Sequence, residues 1–95
     1  MNSPENLEVA LAWYRREQWA LLRAESTDAD KLEKTYDEWL AFASEELRKL
    51  EARGLRVYKI DVEMGALKRW CESEGRAVDG EARAEYARQG LGREV

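Results

Sequence analysis

From Leu32 onward, apolar residues recur at steps of four and three: Leu32, Tyr36, Leu40, Ala43, Leu47 and Leu50, with Trp39 on the flank. That spacing returns to one face of a 3.6-residue helix and predicts a long amphipathic helix. Thr27 can cap its start while Asp30, three residues later, reaches back, and Asp28 and Asp30 meet the positive end of the helix dipole. At the other end Arg48, Lys49 and Arg53 complement the negative terminus, and Gly54 can take the left-handed conformation that closes helices. The expected helix spans about residues 28–53 and is about 39 Å long at ~1.5 Å per residue.

Past Gly54 the pattern changes to β-branched and aromatic residues, with Tyr58, Ile60 and Val62 on one face, and predicts a strand over 55–62. A lone strand leaves backbone donors and acceptors unpaired, so it demands a partner. Residues 8–14 supply one: Leu7, Val9, Leu11 and Trp13 alternate with Glu8, Ala10, Ala12 and Tyr14. The competing reading is a helix from Pro4 to Ala24, opened by Ser3 as cap and Pro4 in the first turn. It gives an all-helical N-terminal hairpin and leaves the single strand 55–62 to pair across a dimer.

With the strand preferred at 8–14, a short helix over 15–25 turns Trp19 and Leu22 inward. Two antiparallel helices between the strands make the strands antiparallel as well. A third helix holds Met64, Leu67 and Cys71 on one face and stops at Gly75. Asp79 caps a fourth, carrying Ala82, Tyr86, Ala87 and Leu91, before Gly90 and Gly92 loosen the tail. The expected fold class is therefore α+β and predominantly α-helical. A small two-stranded sheet, about residues 8–14 and 55–62, packs on about four helices in one domain over 1–95.

Composition narrows the function more than it defines one. The chain contains no histidine and a single cysteine, Cys71, which removes the commonest general base and zinc ligand and any internal disulfide. Its net charge is −4, unevenly spread: residues 1–47 carry five basic and eleven acidic groups, and 48–95 carry eleven and nine. An acidic domain repels a phosphate backbone on average, so nucleic acid is an unfavourable partner. No apolar run approaches the ~20 residues of a membrane span, and Met1 to Asn6 lack the order of a signal peptide, so a cytoplasmic protein without a membrane partner is expected. Heavy use of Ala, Arg and Glu suits a GC-rich bacterial source.

Four tryptophans, Trp13, Trp19, Trp39 and Trp70, are a large aromatic load for 95 residues, and core packing accounts best for three of them. On a helical wheel Trp70 lies about 100° from the line of Met64, Leu67 and Cys71, and Phe42 lies about as far from the main stripe. Phe42 and Trp70, with Tyr58 on the strand, are the partner-binding candidates. Cys71 reads as a small core residue, since a catalytic thiol needs a base or cations beside it. The carboxylates Glu33 with Asp37 and Glu45 with Glu46 read as a solvated helix face. No catalytic residue, metal or cofactor is expected. Protein partnership or self-association is the leading function. The alternatives are nucleic-acid binding by Arg76, Arg83, Arg88 and Arg93, opposed by interleaved Glu81 and Glu85, and an enzyme working with carboxylates alone.

Overall fold

The computed structural model describes the backbone of residues 7–94 and the side chains of residues 7–91. Along the chain run β1 (Glu8–Trp13), α1 (Trp19–Glu25), α2 (Tyr36–Ala52), β2 (Arg56–Asp61), α3 (Met64–Glu74) and α4 (Gly80–Glu94), with 3-10 turns at Arg16–Gln18 and Ala29–Lys31. The fold is the small, mostly helical α+β arrangement expected, in the expected βααβαα order. Residues 8–13 form a strand, which overturns a continuous helix through Ala24; Ser3 and Pro4 lie outside the described residues.

The two strands are parallel, with Val9 opposite Val57, Ala12 opposite Ile60 and Trp13 opposite Asp61. This corrects the antiparallel pairing, and the reason is helix length. At ~1.5 Å per residue the seven residues of α1 rise only about 10 Å, against about 26 Å for the seventeen of α2, so only α2 provides a full return run. Its direction is pinned at both ends. The Tyr36 hydroxyl donates to the Tyr14 carbonyl at 3.0 Å beside the end of β1, and the Arg56 N–H donates to the Leu7 carbonyl at 3.0 Å beside its start. One return helix between two strands is a crossover connection, and a crossover gives a parallel pair.

The long helix begins at Tyr36, eight residues later than the expected start at 28. Thr35 and Glu38 form the capping box: the Thr35 hydroxyl accepts from the Glu38 N–H and the Glu38 carboxylate accepts from the Thr35 N–H, both at 3.1 Å. Thr27 and Asp28 are committed elsewhere. The Thr27 N–H donates to the Val78 carbonyl at 2.9 Å, and Asp28 accepts from the Gly80 N–H at 2.9 Å and from Arg83. The far end is as expected: Arg53 is the cap residue and Gly54 follows with φ 84°.

Gly75 ends α3 with φ 65°, and the Asp79 carboxylate caps α4 by accepting from the Ala82 N–H at 2.9 Å. Helix α4 then continues through Gly90 and Gly92 to Glu94, so those glycines do not end it. Gly90 is buried, as are Ala82 and Ala87, and these small residues let α4 lie close against both strands.

The core joins Tyr14, Trp19, Leu22, Trp39, Ala43, Val62, Met64, Leu67, Cys71 and Ala82. Ile60 and Val62 are buried on the expected face of β2. On α2 the buried positions are Trp39 and Ala43, so the inward face is centred on Trp39 instead of leaving it at the flank. Trp39 packs against Trp13, Tyr14, Trp19 and Tyr36 with ring centroids 5.1, 5.0, 5.8 and 5.3 Å away. Such tilted and edge contacts are the favourable arrangements for aromatic quadrupoles.

Candidate functional site

Phe42, three residues after Trp39 on α2, lies at the edge of the buried face and is 56 % exposed. It stands beside a groove of about 300 Å3 between β1 and α2, lined also by Leu11, Trp13, Trp39, Ala43 and Leu50. The floor of the groove is the outer side of the aromatic cluster, which fixes its shape, and Glu46 at its border is held toward Lys49 at 3.9 Å. The groove and the projecting ring together present a patch of largely apolar surface.

The other partner-binding candidates occupy different settings. Tyr58 is half-buried, and its hydroxyl donates to the Glu8 carboxylate at 3.2 Å. It shares the sheet face of Ile60 and Val62. Leu11 and Trp13 pair in register with Lys59 and Asp61, and so belong to the opposite face. Trp70 is half-buried between α3 and α4, its ring 5.6 Å from that of Tyr86 and overlaid by the Arg76 guanidinium at 5.3 Å. Phe42 and Tyr58 are thus on two sides of the sheet, while Trp70 belongs to the α3–α4 contact.

The arginines proposed for nucleic acid are likewise dispersed. Arg76 lies over Trp70, and Arg88 pairs with Glu85 at 2.6 Å within α4. Arg83 is 5 % exposed and points inward. Its guanidinium donates to both Asp28 carboxylate oxygens at 3.1 Å and to the Ser26 hydroxyl at 3.0 Å, beside the Tyr14 phenol. Arg83 therefore ties α4 to the loop after α1, a role the sequence reading missed. Its spacing from Tyr86 and Ala87, three and four residues on, was the available signal, since it puts Arg83 on their face of the helix. Arg93 falls outside the described side chains.

Cys71 is 1 % exposed, and burial pushes its thiol above the ordinary cysteine range, with Arg76 and Arg83 only partly opposing. A maleimide should label it only when the protein opens, so its labelling rate in stopped mixing should rise with urea toward that of the unfolded chain; fast labelling in buffer alone contradicts this. Asp37 pairs with Arg16 at 2.7 Å, and Glu45 is held by Arg48, which with Lys49 keeps its carboxyl below the usual range. Among the described residues no group of His, Cys, Asp or Glu gathers as a metal cage requires. None of the described helices is long and apolar enough to cross a membrane. No family model, curated protein or solved structure matches the chain.

Proposed function

We propose that this domain is a non-catalytic interaction module of the cytoplasm that self-associates through the Phe42 groove. The observation that carries the reading is the exposed Phe42 ring standing beside an apolar groove on the same patch. A knob and a hole side by side are self-complementary under a two-fold axis, the commonest symmetry of homodimers, because each copy can seat its ring in the other's groove. The missing histidine and the shielded thiol support a binding role over a chemical one.

A buried aromatic anchor is worth about 2 kcal/mol or more when truncated, and a two-fold contact counts it twice. Light scattering and sedimentation should therefore show a concentration-dependent dimer whose dissociation constant rises by about a thousandfold in Phe42→Ala, with the circular dichroism unchanged. A wild-type protein still monomeric at about 1 mM, or a dimer indifferent to Phe42→Ala, removes the proposal.

A further inference from the structure

A second cleft, of about 410 Å3, opens between α1 and the segment leading to α2, and is lined by Trp19, Ala20, Arg23, Ala24, Ala29 and Lys34. The polar side-chain groups of these residues are all donors. In a chain of net charge −4, whose first 47 residues carry eleven acidic groups against five basic, this cleft is lined by two cations and no carboxylate. Among the described residues neither Arg23 nor Lys34 enters an ion pair, a state they share with Lys31, Arg53, Arg56, Lys59, Arg69 and Arg76, so it is their meeting in one cleft that sets them apart.

The second observation is independent of charge. Trp19 is 6 % exposed, and its buried indole Nε1–H has no hydrogen-bond partner; the buried Nε–H of Arg23 has none either. Buried donors are almost always satisfied, and an orphan carries the full loss of its hydration. Two such orphans on side chains four residues apart in α1, lining one cleft, mark a place short of acceptors.

We infer that this cleft binds a small molecule bearing an oxyanion, carboxylate or phosphate, on a compact apolar body. The oxyanion lies between Arg23 and Lys34, where the planar guanidinium can present its Nε–H and Nη–H edge to two oxygens. A ligand oxygen held there would also supply the acceptor that the Trp19 Nε1–H lacks. The methyl groups of Ala20, Ala24 and Ala29 leave room for the apolar body and give it an apolar wall. This site is separate from the Phe42 groove, which shares none of its lining residues.

The test is a titration of the full chain followed through its indole N–H resonances, with benzoate, phenyl phosphate, inorganic phosphate and neutral benzamide as probes. The expected result is a saturable shift of the Trp19 indole with benzoate or phenyl phosphate, whichever of the two is tighter fixing the head group, and little with benzamide. Arg23→Gln and Lys34→Gln, on separate segments, should each weaken that probe by about tenfold or more while the spectra remain those of a folded protein. The inference is overturned if neither aromatic anion moves the Trp19 indole, if benzamide moves it equally, if inorganic phosphate binds as tightly as phenyl phosphate, or if both variants bind like the wild type.

Discussion

Trp39→Ala should remove about 3 to 5 kcal/mol of stability, the range for deleting a large aromatic side chain from a core. A domain of this size is stable by about 5 to 14 kcal/mol in all, so the loss is a large share and leaves the weaker end of that range barely folded. The position is central because Trp39 touches the rings of Trp13, Tyr14, Trp19 and Tyr36, which come from β1, its end, α1 and the start of α2. Removing it leaves a hole bordered by four flat rings, which cannot close without rotating each of them away from its other contacts. Thermal unfolding followed by circular dichroism should fall by roughly 12 to 24 °C, at about 4 to 8 °C per kcal/mol and at least about 3 kcal/mol lost. Trp39→Phe keeps a ring in place and should cost clearly less. A fall of only a few degrees for the alanine variant would show that the cluster is not the centre of the core.

That cluster also marks where sequence reasoning stops. Periodicity located the helix carrying Trp39 and the alternation in Tyr58, Ile60 and Val62, because both are local consequences of one face being wet and the other dry. Glycines at 54 and 75 and the acid at 79 were legible for the same local reason: helix ends are closed by residues beside them. The start of α2 was misplaced because two threonine-led boxes compete. Thr35-x-x-Glu38 has the longer acid that reaches back to the cap residue, while Thr27 and Asp28 are drawn off by Val78, Gly80 and Arg83, more than fifty residues away. Once α2 is shortened from its front and α1 is a helix of seven residues, the strand sense follows from length alone. Strand direction was thus lost through a boundary error, not through the pattern.

Of the candidate surfaces, Phe42 was legible as a residue off the core stripe, but not the groove beside it, which needs β1 and α2 brought together. The donor-lined cleft was half legible, since Trp19 and Arg23 are neighbours on any helix, while Lys34 reaches them only through the turn at residues 29–31. Charge on a helix is usually solvated, and that expectation describes Arg88 with Glu85 well; it fails at Arg83, five residues earlier, because one helical face can hold both solvent and core.

Arg83→Met should cost about 3 kcal/mol at neutral pH, the lower end of the about 3 to 5 expected when one partner of a buried ion pair is removed, because Asp28 retains some contact with water. The methionine refills most of the volume, so the loss reports the stranded Asp28 carboxylate and the orphaned Ser26 hydroxyl more than a cavity. Burial alone pushes the Asp28 carboxyl up, but the Arg83 hydrogen bonds and charge, with the Gly80 N–H, together hold it below the ordinary range. A depressed folded-state pKa contributes stability that is fully present above the unfolded value, near 4, and is lost as pH falls through the folded one. In Arg83→Met the hydrogen bonds and charge of Arg83 are gone, so most of that contribution is lost. The difference in urea-unfolding free energy between wild type and variant should therefore be largest near pH 7 and shrink toward about pH 3, as protonation of Asp28 removes the charge that Arg83 pairs. Adding Asp28→Asn keeps an acceptor for the Gly80 N–H and removes the unpaired charge, so the double variant should be more stable at pH 7 than the sum of the two single losses requires. Equal losses at both pH values, or strict additivity, would mean that Arg83 holds α4 by packing its carbon chain and not by its charge.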